Sequence, residues 1–214
     1  MSTTNNPSSI LTQLRAVVPH RPLTFQEALR IAELQANKLL ELSRITDPGT
    51  PSEIISGLPF VKVIVRHKMP VSGSAQWFKP RWLILLNGQE PEVRRRFSLM
   101  HEWKHVLDHP FVDFLYPGKD EADRIRKAEQ VADFFAACLL MPKKLIKRVY
   151  FQGFRDPQEL AGMFGVSPQA MRYRIDQLAL TEPYQRCRLP GRSIVAPTTK
   201  RYFRSLSASP LLLG

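Results

Sequence analysis

His101 and His105 stand four residues apart in the string His101-Glu102-Trp103-Lys104-His105, with a carboxylate directly after the first histidine. On a helix, positions i and i+4 share a face, so both imidazoles can converge on one ion while Glu102 stands beside an open coordination position. Zinc suits that donor set, and a carboxylate beside its open position fits metal-assisted hydrolysis. A catalytic zinc takes a third protein ligand, which a neighbouring element must supply. Glu129 fits, because it interrupts the helically spaced apolar stripe Ile125, Ala132, Ala136, Leu139, where an unpartnered carboxylate would be costly to bury. One turn later, Asp133 is placed to accept the second ring N–H of a ligating histidine. His109 lies a turn beyond His105 but directly before Pro110, at the helix end, which argues against it as a ligand.

Two long helices must present these groups. The first runs from about Pro91 to about His109, before Pro110; the second runs from about Asp120 to Met141, before Pro142. An earlier helix is predicted over 24–45, where Phe25, Leu29, Ala32, Ala36 and Leu39 recur at helical spacing and Thr24 with Glu27 forms a capping box. Between them, residues 60–66 and 82–87 are rich in Val, Ile, Leu and aromatics and are separated by Pro70, Gly73 and Pro80, which predicts a small antiparallel sheet. The fold class is α+β, a mostly helical domain with a small antiparallel sheet followed by a helix-turn-helix module.

The helix-turn-helix pattern lies between Pro157 and Leu180. Leu160, Ala161 and Phe164 give one helix an apolar side, Gly165 permits the turn, Ser167 caps the next helix and Pro168 opens it. Met171, Ile175 and Leu178 then face inward, and Gln169, Arg172, Tyr173 and Arg174 face outward as candidates for contact with nucleic acid or a partner. The net charge of +12 is uneven, with 18 Lys/Arg against 15 Asp/Glu through Pro142 and 13 against 4 after it. An excess of that size favours a polyanion or an acidic surface. The domain organisation that follows is a flexible N-terminus at 1–21, a domain carrying the zinc motif at 22–142, a basic helix and helix-turn-helix module at 143–180, and a basic, loosely ordered tail at 181–214.

The string Arg96-Phe97-Ser98-Leu99-Met100-His101-Glu102-Trp103-Lys104-His105, followed by Glu129-Gln130-Val131-Ala132-Asp133-Phe134-Phe135-Ala136-Ala137-Cys138-Leu139-Leu140-Met141-Pro142, resembles the ImmA/IrrE metallopeptidases. In that family a His-Glu-x-x-His helix is followed by a helix of the form Glu-x-x-Ala-Asn/Asp-x-Phe-Ala-x-x-Leu-Leu-Met-Pro. The resemblance implies a gluzincin-like site with His101, His105 and Glu129 as zinc ligands, Glu102 as general base and Asp133 as support. It also implies a regulatory endopeptidase whose substrate is a DNA-binding transcriptional repressor. Lys104 departs from the Gly that the family often has before the second histidine, and it places an extra positive charge in the motif. An oxyanion-stabilising residue is expected in addition; Tyr116, His67 and Arg66 are of suitable type, and their spacing singles out none of them.

Other classes are disfavoured by composition. With 43% hydrophobic and 23% charged residues the chain reads as globular. Its longest uncharged apolar run, Phe134 to Met141, is far too short to span a membrane. The Ser/Thr/Asn-rich start leads into no apolar signal region, and the two cysteines form no disulfide framework, so a cytoplasmic location is expected. The alternative to an enzyme is a DNA- or regulator-binding protein on a non-catalytic metallopeptidase scaffold, in the setting of a toxin-antitoxin or mobile-element component. The intact Glu102 favours the enzyme, because a scaffold needs no general base.

Overall fold

A computed structural model describes residues 7–180, and these belong to one compact unit. The helices are α1 (Pro7–Arg15), α2 (Phe25–Leu42), α3 (Glu53–Ser56), α4 (Glu92–Asp108), α5 (Val112–Leu115), α6 (Glu121–Leu140), α7 (Lys143–Phe151), α8 (Pro157–Phe164) and α9 (Pro168–Gln177); the strands are β1 (Val61–Arg66), β2 (Gly73–Phe78) and β3 (Arg81–Asn87). A 3-10 turn, His109–Phe111, separates α4 from α5. The α+β class is as the sequence predicts. Among the described helices none is long and apolar enough to cross a membrane. The tail from 181 lies outside the described residues.

Local chemistry explains where the three long helices begin. The Thr24 hydroxyl accepts from the Glu27 N–H while the Glu27 side chain reaches back to the Thr24 N–H, closing the expected capping box on α2. The Asp120 side chain accepts from the Asp123 N–H and starts α6, and Pro91 precedes α4. Helix α6 packs on α2 on one side and on α4 on the other, and α4 in turn covers β2 and β3. Leu39, Ala36, Ala132, Phe135, Leu139, Trp103 and Leu107 are all fully buried between these layers.

The sheet differs from the expectation. It is mixed, in the order β1-β3-β2, with β1 parallel to β3 (Val61 opposite Trp82) and β2 antiparallel to β3 (Ala75 opposite Ile84). The missed strand is β2, whose Gly-Ser-Ala-Gln start lacks the β-branched residues that mark strands. Strand β2 returns through a tight hairpin into β3 and β1 takes the other edge of β3, so the two strongly apolar stretches lie parallel. Alternate residues Trp82, Ile84 and Leu86 of β3 point into the core.

Two domain boundaries also need correction. Residues 7–15, within the segment expected to be flexible, form α1, with Leu14 and the following Val18 buried and Arg15 donating to the carbonyls of Val106 (2.8 Å) and Leu107 (3.2 Å) at the end of α4. The polar composition of the start masked that apolar spacing. The break drawn at Pro142 is not a domain boundary, because α8 and α9 belong to the same unit as the long helices. The Arg96 guanidinium of α4 donates to the carbonyls of Gly165 and Thr50 (2.7 Å to Thr50), stitching the α8–α9 turn to the start of α4. Gly165 itself ends α8 in the left-handed region (φ 61°, ψ 46°), and a side chain there would run into that guanidinium.

Candidate metal centre

Helix α4 turns His101, Glu102 and His105 toward a cleft of about 610 Å³ walled on its other sides by residues 71–75 and by α6. One ligand atom from each of His101, His105 and Glu129 lies within 4.8 Å of the others. The Nε2 atoms of the two histidines are 3.0 Å apart, and the Glu129 carboxylate reaches each of them, at 3.2 Å to His101 and 3.3 Å to His105. Asp133 Oδ1 lies 2.9 Å from His101 Nδ1, so the remaining nitrogen of that ring faces the cleft. Two imidazole nitrogens and a carboxylate oxygen converging in this way could hold a divalent metal ion, and the donor types fit a four-coordinate site with one open position.

The electrostatics follow from these contacts. Burial opposes charge on His101, but the hydrogen bonds with Asp133 and Glu129 outweigh it and raise its pKa to about 9. Hydrogen bonds from His101 and then His105 hold the Glu129 carboxyl well below its usual range. Glu102 moves the other way, because burial penalises its charge more than the histidines favour it. The backbone N–H of Ala75 in β2 donates to the Glu102 carboxylate, and Gly73 packs directly against it.

Some expected positions are corrected by the geometry. Glu129 does not lie on a buried stripe: its side chain is 53% exposed at the cleft edge, and Ile125 one turn before it is exposed as well. Only the Ala132–Ala136–Leu139 part of that stripe is core, because α6 is turned so that residues 129 and 133 face α4. Lys104 adds no charge to the cleft. It is fully buried on the opposite side of α4, where it bonds Asp108 and Gln35 (2.8 Å), and Tyr116 donates to the same Asp108. Tyr116 is thereby removed from the cleft, and neither Arg66 nor His67 lines it. His109 stacks edge-on against Trp82, 5.1 Å between ring centres, apart from the other histidines.

Helix α9 splits its four candidate residues. Gln169, Arg172 and Tyr173 are exposed, whereas Arg174 is buried, donating to the Met141 carbonyl (3.2 Å), Gln177 (2.9 Å) and Cys138 Sγ (3.4 Å). Arg174 is a structural clamp and does not face solvent. The positions that sequence reasoning missed are Gly73, Ala75 and Phe97. Gly73 registered only as a breaker, and nothing in its type or spacing announces its contact with Glu102.

A two-histidine helix joined by a carboxylate from the next helix, beneath a small sheet, defines a metallopeptidase-type scaffold. The chain belongs to the peptidase M78 family, whose model, the IrrE N-terminal-like domain, matches residues 61–176. No curated protein matches the chain. Among solved structures, a Mycobacterium tuberculosis transcriptional regulator is similar over 83% of this chain and 54% of its own length, with a TM-score of 0.57 and 15% identity. That likeness is one of fold. The chain spans about half the length of that protein.

Proposed function

We propose that this chain is a zinc-dependent endopeptidase with His101, His105 and Glu129 as metal ligands and Glu102 as general base. The observation that carries this reading is the convergence of four side chains from two helices on one open cleft, with Glu102 between the ligand face and β2. When bound, the metal supplies Lewis acidity for a water and for the peptide carbonyl. Glu102 accepts the water's proton, and its burial moves its pKa toward working pH, where a general base is most effective. Asp133 holds the His101 ring in the orientation that presents Nε2. The Ala75 N–H and the Gly73 backbone fix where the Glu102 carboxylate stands.

The family resemblance supports a DNA-binding transcriptional repressor as the substrate and a regulatory role in the cytoplasm. A second reading, a non-catalytic DNA- or regulator-binding protein, is supported by the excess of 13 Lys/Arg over 4 Asp/Glu after Pro142 and by the exposed Arg172. One experiment separates them. E102Q should keep one zinc per chain by elemental analysis and lose peptide hydrolysis by about 10²–10⁴-fold, while His101→Ala should lose the metal. Wild-type hydrolysis by E102Q, or no zinc bound by the wild type, defeats the peptidase reading.

A further inference from the structure

Beside the metal cleft runs a second groove of about 620 Å³, between the start of α4 and the face of α9. Most of its lining is apolar, with Val93 and Phe97 of α4, Leu140 and Met141 at the end of α6 and Val166 and Ala170 of the helix pair, and Ser167 and Gln169 are its uncharged polar members. The two cavities adjoin, with Arg94, Phe97 and Asp133 lining both. The Phe97 ring, which borders both, lies 6.4 Å from the His101 ring. Tyr173 is 68% exposed along the groove, so its ring face is free to meet a side chain laid there.

The charge pattern selects the kind of occupant. The groove's charged side chains are Arg94, whose guanidinium lies 5.6 Å over the Phe97 ring, and Asp133, which is engaged by His101. Arg172 does not line it, and Arg174 is turned into the core. A phosphate backbone would find few cations here, whereas a leucine, phenylalanine or methionine would find an apolar slot of the right chemistry. An extended peptide advances about 3.3 Å per residue, so the distance from His101 to Phe97 corresponds to about two residues.

We infer that this groove is a specificity subsite, holding one bulky apolar side chain of the peptide substrate within about two residues of the bond at the metal centre. The inference rests on the peptidase reading and deepens it. Helix α9, which looks from its sequence like a nucleic-acid reader, serves here as the wall that selects peptide side chains. Ala170 is the position to probe, because it is a small residue that lines the groove together with Phe97 and Tyr173.

The test uses the full chain, loaded with zinc, and a positional-scanning library of synthetic hexapeptides, read in two ways. Cleavage by the wild type is followed by mass spectrometry, and binding is measured on E102Q. One position should favour Leu, Phe or Met over Ala, Ser or Asp by about tenfold or more in both readouts. A170W, which fills the slot, should abolish that preference, and Y173A, an exposed position that the fold tolerates, should weaken it about threefold or more. Melting temperatures establish that each variant is folded, and Y173A decides the matter if A170W is not. An unchanged preference in the folded variants, or no apolar preference at any position, overturns the inference even if cleavage is robust. Apolar binding that A170W removes, without cleavage by the wild type, upholds the groove while the peptidase reading falls. A dimer in sedimentation that A170W or Y173A dissociates would assign the groove to a second copy of the chain and also overturns it.

Discussion

Gly73 faces Glu102 so closely that a methyl group at residue 73 would lie 2.9 Å from both Cγ and Oε1 of the glutamate. Strand β2 therefore acts as a template against which the carboxylate is seated, with the Ala75 N–H supplying the hydrogen bond and Gly73 the room.

Gly73→Ala should keep the fold and the metal but displace Glu102. A displacement of about 1 Å costs on the order of 10²-fold in rate where a reacting group must be aligned. Peptide hydrolysis measured beside zinc content checks this, and a wild-type kcat in G73A would remove β2 from the positioning role.

Metal binding should depend on pH through His101. In the metal-free chain His101 has a pKa of about 9, so it is protonated at neutral pH, and a metal must displace that proton. Apparent affinity should therefore rise by about tenfold per pH unit up to about pH 9 and then level off. Titration calorimetry in buffers of different ionisation enthalpy should report about one proton released per metal at pH 7. Release of none would show that His101 binds as a neutral ring from the start.

Lys104→Met should destabilise the chain severely, because Asp108 would remain buried with the Tyr116 hydroxyl as its side-chain hydrogen-bond partner and Arg15 as the nearby positive charge. Removing one member of a buried pair costs about 3–5 kcal/mol. Urea unfolding should show that loss in K104M and partial recovery in K104M/D108L, where no buried charge is left alone. Metal affinity should be little changed in the folded fraction, since Lys104 points away from the cleft.

Arg174→Ala should lower stability by about 1.5–3 kcal/mol, in the range for hydrogen bonds to a charged group. The measurement is again denaturant unfolding. If the chain does bind DNA, the salt dependence of that binding should not change in R174A, whereas Arg172→Ala should reduce it; a reduced slope in a folded R174A would contradict the buried placement of the side chain.

Much of this architecture was legible before any coordinates. The three long helices begin at or beside the expected residues, Thr24, Pro91 and Asp120, and at Thr24 and Asp120 a side chain caps the first turn, chemistry that is local and survives in any tertiary setting. The i, i+4 histidines likewise needed only helix geometry to converge. What failed were inferences that needed rotation or pairing. The turn of α6 exposes Glu129 and Ile125 while burying Leu139, and a helical stripe alone does not show how far round the core extends. The parallel pairing of β1 with β3 depends on where β2 goes, and β2 carries too little β-forming sequence to be seen. Lys104 could not be placed because its partners, Gln35 and Asp108, come from α2 and from the next turn of α4, and a lysine among motif residues looks solvent-facing.

The Arg96 clamp on Gly165 and Thr50 bears on how this chain could be recombined with others. A gene fragment cut after Pro142 would strip the guanidinium of one of its two carbonyl acceptors, leave the Met141 carbonyl without the Arg174 donor and uncover the apolar residues under α8 and α9. The heritable unit thus includes α8 and α9 together with the helices that carry the metal motif, and shuffling or fusion that respects it leaves the stretch between Pro142 and Leu180 unbroken. A library of random truncations scored for soluble, metal-binding protein should hold no survivors that end between Pro142 and Ile175.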